Sequence, residues 1–373
     1  MSVRDNINPR LTIILPIGDA RPTLTNTINS VLLSDSYDFE LLVSDNTQGK
    51  VTFEKQHLED SRVRLISNPI RLSMSDHWRK LIETSAGEWV CFMGADDGIV
   101  TQNLPKLLRV LQTTEYKVVS THRVEIEWDE NFYARAWTFP ASKCSEKISV
   151  VYWPTWLSSL FPHFFFDLPM PYNKAVFRRE EIEEFLNKQH KLFDLTPDYF
   201  LAFFLGYKTK KGLFLDIPIF VHGGSENSNG YQSKIGNETE SSRDFLNRID
   251  VDLQVAKNLP TECQGAWLAN SFLLNHFQGK ENIKVSRWQS INRVALSKFY
   301  QVWVRITCVS CRTHLSRNSK WMITIKKIII DKLASLIRSY ILPIRRKHRL
   351  PEHPGRHESG SSFITLENLE TYL

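Results

Sequence analysis

Glu88-Trp-Val-Cys-Phe-Met-Gly-Ala-Asp-Asp-Gly-Ile-Val100 decides how the rest of the chain is read. Its apolar run, Trp89 to Met93, predicts a buried strand. The run stops at two adjacent acids, Asp96 and Asp97, and then Gly98. Neighbouring carboxylates repel each other, so folding alone supplies no reason for the pair. A divalent cation removes the repulsion, and Mg²⁺ or Mn²⁺ prefers carboxylate oxygen. In open α/β sheets ligands lie just beyond the carboxyl ends of the strands, where this pair would sit. A surface turn is the competing reading, because Asp and Gly are ordinary turn residues.

Working outward, Leu11-Thr-Ile-Ile-Leu15 predicts a buried strand ending at Pro16. A helix follows over Pro22 to Leu33, with Leu24, Ile28, Val31 and Leu32 at helical spacing. Phe39 to Val43 and Val63 to Ile66 read as further strands, the first ending at Ser44-Asp45-Asn46. Ser75 to Ala86 predicts a helix stopped by Gly87. Beyond the acid pair come a helix over Gln102 to Gln112 and a strand over Lys117 to Ser120. Strands alternating with helices predict a doubly wound α/β sheet. The turn after the first strand, Ile17 to Arg21, lacks G-x-G-x-x-G, which argues against dinucleotide binding.

Residues 123 to 175 read as irregular and rich in aromatics and proline. A helix is expected over Glu180 to Gln189, and another between Pro197 and Gly206. Leu213 to Leu215 and Ile217 to Val221 read as short strands, followed by a Gly/Ser/Asn loop from His222 to Asn237.

With 42% hydrophobic and 24% charged residues, the composition is that of a globular protein, not a disordered one. The five cysteines form no evenly spaced framework, and Cys308-Val-Ser-Cys311 lacks the second pair of a zinc ribbon. A reducing, cytoplasmic setting fits this usage. No stretch reaches the roughly 18 to 20 uncharged apolar residues of a membrane span.

Taken in order, six pieces of the chain resemble a family 2 glycosyltransferase with the GT-A fold, a Rossmann-like mixed sheet flanked by helices. They are the strand to Pro16, Phe39 to Asn46, Ala86-Gly-Glu-Trp-Val, Asp96-Asp97-Gly98, Pro197-Asp198-Tyr199 with Gly206-Tyr-Lys, and His222-Gly-Gly-Ser225. The resemblance implies transfer of a sugar from a nucleotide-diphosphate donor to an acceptor hydroxyl, with inversion. A bound Mn²⁺ or Mg²⁺ would stabilise the leaving diphosphate. Asp97 is expected as the direct metal ligand, because adjacent side chains on an extended segment point opposite ways. Asp96 would then meet the ribose or a metal-bound water. His222 stands open between a further ligand or diphosphate contact and a solvated loop histidine.

Inversion needs a base on the face opposite the leaving group. Asp198 is that candidate, with nearby Asp194 as the alternative and plain N-capping as the structural reading. Asp45 is assigned to the nucleobase by the resemblance, against a loop cap. Pro16, Asp19 and Arg21, at and after the first strand, are expected donor contacts. One departure stands out: many relatives carry a third acid two positions before the pair, where this chain has Gly94.

The net charge of +6 is unevenly spread. Between Gly279 and Leu350 there are 17 Lys+Arg against 2 acids, a surplus of 15, which leaves the remainder at −9. Trp321 to Leu342 places Met322, Ile325, Ile329, Leu333, Leu336 and Tyr340 on one helical stripe, with Lys326, Lys327 and Lys332 on other faces. Such a helix either lies on an anionic bilayer or packs on the catalytic domain. The expected organisation is therefore a catalytic domain over 1–240, a helical basic region over 241–350 with an anionic membrane surface as partner, and a polar tail over 351–373. The expected partners are a nucleotide-sugar donor and a saccharide or lipid-linked acceptor; nucleic acid is not expected. The expected location is cytoplasmic, peripheral on the inner face of the cell membrane, in surface polysaccharide or glycolipid synthesis. Two other classes fit less well: a non-catalytic GT-A-like module, and a nucleotidyltransferase, which would want a Gly-rich basic turn at Ile17 to Pro22.

Overall fold

The computed structural model describes residues 8–128, 134–139, 146–153, 168–188, 197–224 and 355–358. Contacts divide the chain into two units. The second, Trp156–Pro162 with Asp252–Pro351, lies outside the described residues, and with it the basic stripe and its helix.

In the first unit, β1 (Leu11–Ile17), β2 (Phe39–Asp45), β3 (Val63–Ser67) and β4 (Trp89–Phe92) run parallel in the order β3-β2-β1-β4. β1, β2 and β4 are buried along almost their whole length, which is why they read as continuous apolar runs. The helices between them are α1 (Leu24–Leu32), the short α2 (Lys55–Glu59) and α3 (Met74–Thr84). Ser73 caps α3 by accepting from the Asp76 N–H, and the helix ends at Ser85, before Gly87. Strand order reverses at β1, whose neighbours β2 and β4 continue in opposite directions. A crevice opens at such a switch point, beyond the carboxyl ends.

β1 continues one residue past the expected stop at Pro16. Ile14 O accepts from Met93 N on the β4 side, and Ile17 O accepts from Asn46 N beside β2. By alternation, the Pro16 position that lacks an N–H faces the β4 side, where pairing has ended at Ile14↔Phe92.

The rest of the sheet is mixed. After β5 (Gly98–Ile99) and α4 (Leu104–Thr113) come β6 (Val118–Trp128), β7 (Ala134–Phe139), β8 (Ile148–Tyr152) and β9 (Ala175–Arg178). The expectation of irregular structure over 123–175 is thus overturned for much of that stretch. β9 bridges β4 and β6, antiparallel to both. α5 (Glu180–Lys188) and α6 (Pro197–Thr209) follow, with Phe185 stacked at a tilt against Phe204 at 4.5 Å.

The two short strands expected at 213–221 are one strand, β10 (Lys211–Gly224), parallel to β6. Its register shifts on either side of Pro218, so a bulge absorbs the residue that cannot donate. His222 therefore belongs to a strand and not to the start of a loop. Gly355–Glu358, expected in a polar tail, forms the edge strand β11 against β7.

Candidate active site

Five parts of the chain meet at the carboxyl end of β4. Met93 N donates to Ile14 O on one side, while on the other Phe92 N donates to Pro171 O and Asn173 N to Phe92 O. The strand end is thereby gripped between β1 and the Pro171–Asn173 segment. The following loop, 94–97, is pinned from α1: Thr23 Oγ1 donates to Ala95 O at 2.7 Å, and Thr27 Oγ1 to Asp97 O at 2.7 Å. Trp128 Nε1, at the end of β6, donates to Asp96 O at 3.0 Å. Gly223 comes so close that a β-carbon there would lie 1.8 Å from Asp96 O, which no side chain tolerates.

Asp97 is fully buried. Its Oδ1 accepts from Gly223 N at 2.9 Å and faces His222 Nδ1 at 3.2 Å. Its Oδ2 accepts from Asn173 Nδ2 at 2.6 Å and from Gly94 N. These donors fill the acceptor positions of both oxygens. Burial opposes the charge of Asp97, but the hydrogen bonds from His222, Asn173 and Gly223 outweigh it and hold the carboxyl below its usual range.

Asp96, one residue earlier, is half-buried and behaves differently. Burial, then the charge of Asp97, raises it to about 6, against the pull of His222 and Arg21. Of the two acids, Asp96 is the one whose carboxylate gains from an added cation.

Asp198 is the second residue of α6, half-exposed, behind Pro197 in the first turn. Its charge, after those of Asp97 and Asp96, acts on the Tyr172 hydroxyl. Asp194 lies outside the described residues.

The remaining expected contacts are spread along the same strand ends. Pro16 is half-buried near the end of β1; Asp19, just past it, is exposed and paired with Arg71 at 3.1 Å. Arg21 stands close enough for its charge to act on Asp96. Asp45 ends β2, nearly buried, where Oδ1 accepts from Thr47 N at 2.7 Å and Thr47 Oγ1 at 2.6 Å, and Oδ2 from Gly49 N at 3.2 Å. The loop-cap geometry is thus realised at Asp45. His222 Nε2 turns toward Glu125, 4.0 Å away.

Two residues of the site were missed in the sequence. Tyr172 and Asn173 lie in the stretch expected to be irregular. Asn173 is fully buried, adopts φ of 56°, and leaves its Oδ1 without a partner. Asn tolerates that left-handed conformation better than most residues, which is the only local signal it gave.

The family model "Glycosyl transferase family 2" covers residues 12–203, and the chain belongs to that family. The Escherichia coli enzyme "UDP-Glc:alpha-D-GlcNAc-diphosphoundecaprenol beta-1,3-glucosyltransferase WfgD" is 28% identical over 88 residues, 23% of this chain and 35% of that one. The chain thus matches about a third of that relative's length. Among solved structures, S. aureus TarS 1–349 aligns at 12% identity and a TM-score of 0.43, over 75% of this chain and 77% of that one. The same protein in complex with UDP-GlcNAc aligns at 13% and 0.45, over 74% of each.

Proposed function

We propose that the protein is an inverting glycosyltransferase that moves a sugar from a nucleotide-diphosphate donor to an acceptor hydroxyl. Membership of glycosyl transferase family 2 supports this reading. The observation that carries it to particular residues is the Asp96–Asp97 pair, held just beyond the carboxyl end of β4 beside β1 and pinned from α1.

The donor set was tested against a divalent cation. Among the described residues no group of three His, Cys, Asp or Glu side chains is placed to hold one. Asp97 has its acceptor positions filled, and Asp96 does not share that network. Such a set fits Mg²⁺ or Mn²⁺ bound by one or two protein ligands with the remainder from substrate phosphates. Asp96 would hold the ion, with His222 beside it, and the ion would supply Lewis-acid stabilisation of the departing diphosphate. This reverses the expectation from the sequence, in which Asp97 was the direct ligand. Asp97 instead fixes Gly94, Asn173, His222 and Gly223 around the loop that presents Asp96.

Asp198 takes the proton of the acceptor hydroxyl as it attacks. The first turn of α6 favours its carboxylate form. Arg21 and Asp19 contact the donor at the β1 end, and Asp45 shapes the base-binding loop through Thr47 and Gly49. We read the donor as a UDP sugar and the acceptor as a lipid-linked saccharide on the path to a surface polysaccharide or glycolipid, by analogy with the reaction in the name of the E. coli relative. The basic 279–350 stretch would bring the enzyme to an anionic membrane surface.

The test is release of nucleoside diphosphate from a panel of UDP, GDP and dTDP sugars by the full chain with Mn²⁺. Turnover with one donor, lost with chelator and in Asp96→Asn, is expected. Binding of none of the donors would leave the chain a non-catalytic member of its family.

A further inference from the structure

Gly94 and Tyr172 lie 78 positions apart and compete for one volume. A β-carbon built at Gly94 would sit 2.1 Å from the Tyr172 hydroxyl, 2.7 Å from Asp97 Oδ2 and 3.0 Å from Asp96 Oδ1. Three oxygens from three residues therefore converge on a point that carries no side chain. The phenol has little room to withdraw. Its ring lies at 13° to Trp78 with centroids 6.1 Å apart, and Trp78 stacks on Phe92 at 3.9 Å. His222 stands edge-on to it at 6.4 Å. The backbone on either side is fixed by the two hydrogen bonds to Phe92.

We propose that Tyr172 is a positioning residue of the donor site: its hydroxyl fills the space at Gly94 and orients the Asp96–Asp97 pair toward the diphosphate. The proposal rests on the reading of this cleft as a nucleotide-diphosphate site. The Tyr172 hydroxyl faces Asp97 Oδ2 and Asp96 Oδ1 across the volume left free at Gly94. A phenol at this point can donate a hydrogen bond without adding a charge beside two adjacent carboxylates. A carboxylate at position 94 would have no room and would raise the repulsion. Tyr172 acts through the acids and touches no reacting atom.

Four chains test this: the parent, Gly94→Ala, Tyr172→Phe and the double variant, each measured by thermal melting and by calorimetric titration with UDP in the presence of Mn²⁺. Gly94→Ala should melt lower by several degrees, roughly as expected for an overpacked site. The double variant should recover half or more of that loss, because the clashing oxygen is gone. Tyr172→Phe should bind UDP about ten-fold more weakly, the effect of one lost hydrogen bond to a charged group. Equal loss from Gly94→Ala with Tyr or Phe at 172 would refute the shared volume. Parent-like UDP affinity in Tyr172→Phe would refute the positioning role. A parent chain that binds no nucleoside diphosphate would overturn the donor-site reading and the positioning role together, while the melting data would still decide the packing.

Discussion

Two buried carboxylates, Glu40 and Asp97, sit at opposite ends of the same parallel strands and are satisfied in different ways. Glu40, near the amino ends, accepts from Thr12 Oγ1 at 2.6 Å and Ala86 N at 2.6 Å, and pairs in a two-pronged contact with Arg64 at 3.0 and 3.1 Å. That end of the sheet is electrically closed by a guanidinium. At the carboxyl end, the donors to Asp97 among the described residues are two backbone N–H groups, Asn173 and His222. A second acid, Asp96, is placed directly beside it, and burial together with Asp97 raises its pKa. One network closes a structure; the other leaves negative charge that a bound cation and diphosphate would complete.

Substitutions at the two ends should therefore fail differently. Asp198→Asn should lower sugar transfer by about 10²- to 10⁴-fold, the usual share of a general base, with UDP affinity retained. Full transfer in that variant, measured as product formation, would remove Asp198 from the reaction. Asp97→Asn should cost about 3 kcal/mol of stability in a denaturant melt, because its amide would oppose donors inside a buried network, and nucleotide binding should go with it.

His77, behind the carboxyl end of β2, adds a pH dependence. Its Nε2 lies 2.7 Å from Ser44 Oγ, and burial, then the charge of Lys80, lowers its pKa from 6.5 to about 4. A depressed histidine pKa means the unfolded chain takes up the proton first. Stability from this group is complete above pH 6.5 and is lost as pH falls toward 4, by up to about 3 kcal/mol. Denaturant melts across that window should slope less in His77→Gln; identical slopes would show that the site is not buried neutral.

The smallest effect belongs to the amino end. Glu40→Gln should cost about 1 to 2 kcal/mol, since it weakens the contact with the partly exposed Arg64, yet leave UDP binding unchanged. A change in nucleotide affinity there would break the contrast between the two ends.

The parallel half of the fold was legible because β1, β2 and β4 are buried on both faces and announce themselves as apolar runs ended by Pro, Asp or Gly. β6 was recognised only to Ser120, although Val124, Ile126 and Trp128 are buried and alternate with Arg123, Glu125 and Glu127. That period-two signal was present and was obscured by the aromatic-rich stretch that follows. Of the candidate site, the two acids and Asp198 were readable as residues, but the hydrogen-bond network that sets Asp97 apart from Asp96 was not. It depends on Asn173, His222 and Gly223 arriving from distant segments, and no local pattern encodes those contacts. Gly94 did carry a trace, since glycine at a strand end marks a close approach. The identity of the approaching group, Tyr172, required the fold.

The most direct measurement is a crystal structure of the full chain with UDP and Mn²⁺, with the cation located by anomalous scattering. The diphosphate is predicted beyond the carboxyl ends of β1, β2 and β4, the metal peak against the Asp96 carboxylate, and Asp198 facing the same cleft. Nucleotide bound on another surface, or Asp198 opening away from it, would contradict the account.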